Sequence, residues 1–364
     1  MTEPGTGSTL LETRDLSVHF SVSRGGGIRG KPAAVRAVDR VSLTVRRGQT
    51  LGLVGESGSG KSTFGRAIVR LLRPNSGSIL LDGQDIAQLQ GRALSAIRGR
   101  LQMVFQDPSA SLDPTTSVGT SIAEPLELRH WSSRDARRAR VDELIGLVGL
   151  RTVDRDRYPH ELSGGQRQRV GIARALALHP ELIVADEPVS ALDVSIRAQI
   201  LALLRDLQQQ LGLTLLFVSH DLAVIRQVSS DVAVMYLGRI VESGPAAKLY
   251  AKPLHPYTAA LMSAIPVPDP VIEAGRRRII LTGEVPSSSA AIEGCKFASR
   301  CWLRTQLGNP ERCVTEEPAL RPLEPAHEVA CHFAEKIAEP APGPIGVPAV
   351  PAAAEAAEAP GAAA

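Results

Sequence analysis

One stretch near the start of the chain combines glycine, lysine and hydroxyl side chains at the spacing of a phosphate-binding loop. Gly55 to Ser62 fits G-x-x-x-x-G-K-[ST], in which backbone N–H groups turn inward around phosphate oxygens. Lys61 would reach the β- and γ-phosphates of a nucleotide, and the Ser62 hydroxyl would ligate Mg²⁺. The loop residues are Gly55, Glu56, Ser57, Gly58, Ser59, Gly60, Lys61 and Ser62. The alternative is a glycine-rich turn that binds nothing.

The elements around this phosphate loop decide whether it can hold a ligand. The apolar run from Thr50 to Val54 predicts a buried strand before it. A helical pattern follows, which Pro74 would stop. Its apolar face consists of Phe64, Ala67, Ile68, Leu71 and Leu72. Because the start of a helix adds partial positive charge where phosphate would bind, this order of elements favours nucleotide binding.

Polar residues follow three further apolar runs. They are Gln106, the pair Asp186 and Glu187, and His220, and the runs before them are 101–105, 182–185 and 213–219. Strands that alternate with helical patterns predict an α/β domain with a largely parallel sheet. Ligands bind such sheets at the carboxyl ends of the strands, so these polar side chains are expected to lie near the phosphate loop.

Composition limits the classes of protein to consider. The 364 residues carry a formal net charge of +3 and no isolated basic block, which favours a surface of mixed sign over nucleic-acid binding. No apolar run approaches the roughly 18 residues of a membrane span. The first residues, Met1 to Ser8, lack a signal-peptide pattern. We therefore expect a cytosolic protein that reaches a membrane only through partners.

Changes in residue pattern along the chain predict its domains. Alternating residues at 10–23 and 35–45 predict antiparallel strands, with a glycine-rich mobile loop at 24–30 between them. From about residue 107 to 162, helical patterns occur without a strand, which indicates a helical subdomain inserted in the sheet domain. We predict a first domain at residues 1–243, a second at 244–335 and a disordered Ala/Pro-rich tail at 336–364.

A second candidate for anion binding lies at the end of the helical stretch. Ser163 can cap the helix that follows, and Gly164 and Gly165 leave backbone N–H groups free at its start. The segment consists of Leu162, Ser163, Gly164, Gly165 and Gln166. An ordinary capped helix is one interpretation. However, these residues and the order of motifs around them resemble the nucleotide-binding subunits of ABC transporters over about residues 10 to 335.

The resemblance implies a fold and a set of roles. The fold would be an α/β P-loop NTPase of the ABC type, with a RecA-like parallel-sheet core, an antiparallel β subdomain, an inserted helical subdomain and a small cysteine-containing C-terminal domain. Gln106 would contact Mg²⁺ and the attacking water, and Asp186 would hold Mg²⁺ through water. Glu187 would orient and polarise the attacking water, and His220 would contact the γ-phosphate.

Further assignments follow from the same resemblance. Thr63 would complete the phosphate loop, and Asp193 belongs to the segment that resembles the D-loop. Phe20 stands where the family has an aromatic ring that stacks on adenine, with a plain edge-strand aromatic as the alternative. The resemblance also implies a head-to-tail dimer, in which Ser163 and Gly165 of each subunit cap the ATP of the other and hydrolysis opens the dimer.

The segments that flank these motifs narrow the resemblance. Residues 105–114, 186–196 and 255–258 resemble the ATPases of di- and oligopeptide importers, and more narrowly their second, F-type, subunit. The implied function is ATP hydrolysis that powers peptide import, with nickel, glutathione or another small solute as alternative cargo. The implied partners are a second, different ATPase subunit, two membrane permease subunits and, indirectly, an extracytoplasmic substrate-binding protein. The chain would lie at the cytoplasmic face of the cell membrane.

A soluble ABC ATPase that acts on ribosomes or DNA is a more distant alternative. Such proteins usually carry two ATPase units or a long coiled-coil insertion, whereas this sequence has one unit and no sustained heptads. A non-catalytic regulatory subunit is disfavoured because Lys61, Asp186 and Glu187 are all present.

Four cysteines in the C-terminal part form a final candidate site. Cys295, Cys301, Cys313 and Cys331 follow C-x5-C-x11-C-x17-C, which lacks the tight pairs of a zinc ribbon. The segment around them resembles the C-terminal part of peptide-importer ATPases, and four thiolates suit a [4Fe–4S] cluster. A four-sulfur zinc site and free buried thiols are the alternatives.

Overall fold

Two β-sheets with helices around them make up the part of the chain that the computed structural model describes, residues 7–22, 33–266, 269, 278–286 and 292–337. The predicted loop at 24–30 and all but the first two residues of the predicted tail at 336–364 lie outside these residues. The strands are β1 Thr9–Val22, β2 Ala33–Arg46, β3 Thr50–Val54, β4 Ser76–Leu81, β5 Gln84–Asp85, β6 Leu101–Val104, β7 Leu182–Asp186, β8 Thr214–Ser219, β9 Asp231–Tyr236, β10 Arg239–Pro245, β11 Arg321–Glu324 and β12 His327–Val329.

Helices cover both faces of the larger sheet and build the region between β6 and β7. They are α1 Lys61–Ile68, α2 Gly91–Arg98, α3 Pro108–Ser111, α4 Val118–Leu128, α5 Arg134–Leu147, α6 Gly164–Leu176, α7 Val194–Leu211, α8 Leu222–Val228, α9 Ala246–Ala251, α10 Pro256–Ser263, α11 Trp302–Gln306 and α12 Arg312–Thr315, with short 3₁₀ helices at Thr152–Asp156, Pro159–Glu161, Ala298–Arg300 and Ala334–Lys336. Within the described ranges, no helix is long and apolar enough to cross a membrane.

The larger sheet brings the ends of its central strands together. Its order is β11-β12-β10-β9-β3-β8-β7-β6, and the five strands from β9 to β6 are parallel. β3, β7 and β8 are buried along their whole length, as expected for strands covered on both faces. The carboxyl ends of β3, β6, β7 and β8 therefore lie on one side. The predicted α/β domain with a largely parallel sheet is confirmed.

The smaller sheet is antiparallel and has the order β2-β1-β4-β5. Apolar side chains of its inner face pack with Phe64 of α1 in a second core. Four charged residues join this sheet to the larger one. Arg47 pairs with Asp82 and, at 2.8 Å, with Glu181. Arg100 pairs with the same two carboxylates, so the network fixes the corner between the two sheets.

Helices fill the region between β6 and β7. Ser117 caps α4 by accepting the Thr120 N–H, and Ser133 caps α5 by accepting the Ala136 N–H. The apolar faces of α4, α5 and α6 pack together and join the core of the larger sheet. These helices therefore form a unit that packs beside β6, and the start of α6 lies at the surface of this unit.

The helix after the phosphate loop is shorter than its apolar pattern predicts. The prediction that Leu71 and Leu72 continue its face to Pro74 is wrong, because α1 ends at Ile68. Arg70 takes a left-handed conformation (φ 58°) and stops the helix. Its buried guanidinium donates to backbone carbonyls before α2, and Leu71 is left 50% exposed.

The C-terminal segment, residues 246–337, extends the larger sheet. β12 pairs antiparallel with β10, and the Glu242 carboxylate of β10 accepts hydrogen bonds from the Leu254 and His255 N–H groups and contacts His327 Nε2 at 2.8 Å. Phe297 packs in the core of the larger sheet. Because sheet and core are shared, a separate C-terminal domain that begins near residue 244 stays a prediction.

Candidate functional site

The phosphate loop lies between β3 and α1, and glycines set its path. Gly58 and Gly60 have φ of 77° and 105°, which favour glycine. A Cβ at Gly60 would lie 2.0 Å from the Ala37 carbonyl oxygen of β2, so a larger residue would displace that strand. The Gly238 N–H, in the turn between β9 and β10, donates to the Ser59 carbonyl at 2.8 Å. Strand β2 and the turn between β9 and β10 thus fix the backbone path of the loop.

Lys61 is buried and folds back on the loop. Its Nζ donates to the carbonyl oxygens of Gly55 (2.7 Å) and Glu56 (2.9 Å). Burial lowers the pKa of Lys61, and the nearby carboxylates of Glu187 and Asp186 oppose that shift. The ammonium group is therefore held where the β- and γ-phosphates of a nucleotide would replace the carbonyl partners.

Ser62 and Asp186 join the start of α1 to the end of β7. Ser62 Oγ donates to Asp186 Oδ1 at 2.7 Å. Asp186 is 1% exposed, and its Oδ2 has no hydrogen-bond partner among the described residues. Burial raises the pKa of this carboxyl. A hydroxyl beside a buried carboxylate oxygen is the kind of hard ligand set that Mg²⁺ takes, so these two residues fit the predicted metal.

Glu187 is held between two of the other predicted residues. Gln106 Nε2 donates to Glu187 Oε2 at 3.1 Å, and His220 Nδ1 lies 3.2 Å from Oε1. The Glu187 backbone has φ 46° and donates its N–H to the Val218 carbonyl of β8. Three strand ends therefore meet at one carboxylate, next to the Ser62–Asp186 pair. This placement suits a carboxylate that orients a water molecule.

The segment Leu162–Gln166 stands apart from this group. Ser163 Oγ accepts the Gln166 N–H, and Gln166 Oε1 accepts the Ser163 N–H, so the two form a capping box at α6. Among the described residues, no hydrogen bond or ion pair joins this segment to the phosphate loop. Ser163 and Gly164 are exposed, while a Cβ at Gly165 would lie 2.5 Å from Ile196 of α7. The start of α6 thus faces outward.

Three predicted residues occupy the margins of the site. Thr63 lies in the first turn of α1, directly after Ser62. Asp193 precedes α7 and is exposed. Phe20 lies on β1 opposite Val35, and its side chain is 40% exposed. The ring is accessible to solvent, and its role in adenine stacking stays a prediction.

Two residues next to the phosphate loop were not identified as site residues from the sequence. The Tyr257 hydroxyl accepts the Glu56 backbone N–H at 2.8 Å. The Arg300 guanidinium contacts both oxygens of the Glu56 carboxylate, at 2.9 and 3.3 Å. A nearby cation offsets the repulsion between a carboxylate in a phosphate-binding loop and phosphate, so Glu56 itself was the signal that could have directed attention to Arg300.

The four cysteines line one apolar cavity of about 20 Å³, together with Phe297, Leu303 and Phe333. Burial raises the pKa of Cys295 and of Cys331 to about 12. Backbone N–H groups donate to the sulfurs of Cys301 and Cys331 at 3.4 Å. In the described ranges, however, no three Cys, His, Asp or Glu side chains are grouped closely enough to hold a metal ion. The donor atoms suit a thiolate-bound group, while the cavity has room for about one water.

The fold and the group around Glu187 together define a P-loop nucleotide-binding domain of the ABC type. A post-hydrolysis dimer of the ATP-binding cassette MJ0796, bound to ADP and Pi, has a TM-score of 0.58 and 29% identity over 65% of this chain and 99% of that one. The cbiO1 protein of Clostridium perfringens has a TM-score of 0.57 and 28% identity over 67% of this chain and 91% of that one.

Sequence comparisons extend the assignment. Residues 38–190 match the ABC transporter family, and residues 241–307 match the C-terminal region of oligopeptide/dipeptide transporters. The oligopeptide transport ATP-binding protein AppF of Bacillus subtilis is 48% identical over 326 residues, 89% of this chain and 97% of that protein. The chain belongs to the ATP-binding proteins of ABC transporters, in the group with the oligopeptide/dipeptide C-terminal region.

Replacing Glu187 with glutamine tests the role of its carboxylate. Glu187→Gln keeps the shape of the side chain but removes the charge that is predicted to orient water. We expect ATP binding to persist and ATP turnover to fall at least about 100-fold, measured as phosphate release from the assembled transporter and as nucleotide affinity of the isolated chain.

The matched control is Glu311→Gln, which changes an exposed carboxylate in the C-terminal segment and should leave turnover unchanged. Turnover by Glu187→Gln at the rate of the unmodified protein would remove Glu187 from the catalytic role.

Proposed function

We propose that this chain is an ATP-hydrolysing subunit that powers the import of peptides across the cytoplasmic membrane. The observation that carries hydrolysis is the position of Glu187, which Gln106 and His220 hold beside the Ser62–Asp186 pair. The match of residues 241–307 to the oligopeptide/dipeptide transporters supports peptides as cargo. Nickel, glutathione or another small solute remains the alternative cargo.

The mechanism follows from the positions of these side chains. The phosphate loop donates backbone N–H groups to the phosphates, and Lys61 turns from the loop carbonyls to the β- and γ-phosphates. Ser62 and Asp186 would hold Mg²⁺, which neutralises charge on the transferring phosphoryl group when it is bound. Glu187 orients the attacking water, and His220 stands beside it for contact with the γ-phosphate.

The site is completed by a second ATPase subunit. The exposed capping box at Ser163 offers backbone N–H groups at the start of a 13-residue helix. Among the described residues, it makes no hydrogen bond or ion pair with the phosphate loop of its own chain. A head-to-tail dimer places it over the nucleotide of the partner. We assign that partner to a different chain of the same family, so the working unit is a heterodimer.

Two permease subunits complete the transporter and keep this chain at the cytoplasmic face of the membrane. An extracytoplasmic substrate-binding protein would act on it only indirectly. The surface proposed for the permease is the β6–α4 groove, an apolar groove edged by charged side chains. Its main residues are Leu71, Arg98, Met103, Phe105, Glu124, Leu128, Arg129, Arg174 and Leu178.

The position and lining of the β6–α4 groove support a permease helix as its occupant. Leu128 and Leu71 are 75% and 50% exposed, and arginines edge the groove, so a short amphipathic helix with acidic residues fits it. Phe105 lines the groove, and the next residue, Gln106, donates to Glu187. A permease helix in this groove would contact Phe105. Any shift of that residue would reach the Glu187 carboxylate through the next residue, Gln106.

A charge placed in the groove tests the permease contact. Leu128→Glu should reduce co-purification with the permease subunits at least about tenfold, because a carboxylate would be buried against apolar side chains, while ATP affinity of the isolated chain is retained. Val153→Glu changes a 63% exposed apolar residue of the helical region outside the groove and should assemble normally. Equal assembly of both variants would exclude the groove as the permease surface.

Reconstitution tests the cargo. The chain is combined with its partner ATPase, the two permease subunits and the substrate-binding protein in vesicles, and phosphate release is measured with di- and oligopeptides, Ni²⁺ or glutathione. We expect peptides to stimulate hydrolysis and labelled peptide to accumulate. If Ni²⁺ or glutathione stimulates hydrolysis and peptides do not, the stimulating solute is the cargo. Full ATP hydrolysis without the permease subunits would favour a soluble ATPase.

We extend the proposal to the four cysteines, which would hold a [4Fe–4S] cluster as a structural staple of the C-terminal segment. Their shared cavity and the N–H groups aimed at two of the sulfurs support this assignment. Among the described residues the thiols are not grouped as a metal site, and the cavity is small, so binding of a cluster would require the four side chains to rearrange.

Anaerobic purification tests the cluster. We expect broad visible absorbance and about four irons and four sulfides per chain, all lost in Cys301→Ser. Ser299→Ala, two residues away, is the control and should keep both. Zinc without iron would show that the cysteines form a zinc site and not a cluster. Colourless protein free of both metals would show that the four thiols are free.

A further inference from the structure

The C-terminal segment contacts the phosphate loop through one charged side chain. Arg300 belongs to the 3₁₀ helix Ala298–Arg300 and lies 244 residues from Glu56 in the sequence. Its two terminal nitrogens lie 2.9 and 3.3 Å from the two Glu56 carboxylate oxygens. Across the described residues, this is the one ion pair that links residues 292–337 to the phosphate loop. The Arg300 side chain is only 8% exposed.

Other contacts hold this pair in place. The Tyr236 hydroxyl lies 3.5 Å from Arg300, and the Tyr257 hydroxyl accepts the Glu56 backbone N–H. The rings of Tyr236, Tyr257 and Phe297 pack against one another with centroids 4.7 to 5.4 Å apart. Tyr257 thus holds the Glu56 backbone, and Arg300 holds its carboxylate. Tyr257 belongs to the aromatic cluster, and Arg300 contacts the cluster through Tyr236.

The charge of Glu56 explains why the pair would matter for ligand binding. A carboxylate in the phosphate loop repels the triphosphate, and the repulsion is strong because the site is partly buried. A bidentate arginine neutralises that carboxylate and fixes its direction. Burial by itself lowers the pKa of Arg300, but the Glu56 carboxylate and the Tyr236 hydroxyl outweigh it and raise the pKa. Because the guanidinium of arginine is protonated at all physiological pH values, the cation is always present.

We propose that Arg300 is a positioning residue of the nucleotide site, which neutralises Glu56 and lets the phosphate loop accept the triphosphate. The C-terminal segment thereby becomes part of the ATP-binding machinery. The inference rests on ATP binding at the phosphate loop and is independent of the transported solute, so a failure of peptide to act as cargo would not affect its test.

Nucleotide affinity of the full chain provides the first test. Arg300→Gln leaves the Glu56 carboxylate without its cation, and we expect the Kd for Mg-ATP to rise about tenfold. The loss should decrease from ATP to ADP to AMP, because the repulsion follows the charge of the ligand. Arg312→Gln breaks an exposed ion pair with Glu316 in the same segment and is the control, with affinity retained. An equal loss for all three nucleotides would contradict the electrostatic role.

A double variant separates this role from a purely structural one. Glu56→Gln combined with Arg300→Gln removes both charges, so most of the lost ATP affinity should return. Thermal unfolding of each variant, followed without nucleotide, shows whether the C-terminal segment remains folded. If the double variant binds ATP as weakly as Arg300→Gln does, or if Arg300→Gln binds ATP like the unmodified chain, the proposal is overturned.

Discussion

Lys61, Asp186 and Glu187 bring an ammonium group and two carboxylates into one largely buried place, and the surrounding structure must hold these charges before a nucleotide arrives. An unpaired buried charge is costly. Each group therefore has a partner that a ligand can replace or share. Loop carbonyls hold Lys61, and a serine hydroxyl holds one oxygen of Asp186. The remaining oxygen of Asp186 is the position that a cation would satisfy.

The need to hold these charges together also explains the arrangement of strands in the larger sheet. Parallel strands deliver Asp186, Gln106 and His220 to one side, because their carboxyl ends coincide. The carboxylate of Glu187, proposed as the catalytic one, is then held by residues that follow two other strands, β6 and β8. One of these strands borders the β6–α4 groove. A partner that shifts the end of β6 would change the hydrogen bond that Gln106 makes to Glu187, which is how the proposed permease contact would couple assembly to hydrolysis.

The sequence was sufficient for those parts of the site that depend on local pattern. The phosphate loop, the strand ends and the helix cap at Ser163 each follow from a few neighbouring residues. The end of α1 did not, because the buried guanidinium of Arg70 finds carbonyl partners beyond the helix that periodicity does not contain. The contact of Arg300 with Glu56 was missed for a similar reason, since it joins residues that only the folded chain brings together.

The C-terminal segment shows how a region outside the ATP-binding motifs can influence them. Cys295 and Cys301 flank the 3₁₀ helix that carries Arg300, and both line the cysteine cavity. That cavity holds about 20 Å³, so any group larger than a water molecule must displace its walls. Cys301 directly follows Arg300 in the chain, so a rearrangement of the cysteines on binding the proposed cluster would begin one residue from the Arg300–Glu56 pair. The proposed cluster and the proposed role of Arg300 in ATP binding therefore meet at neighbouring residues.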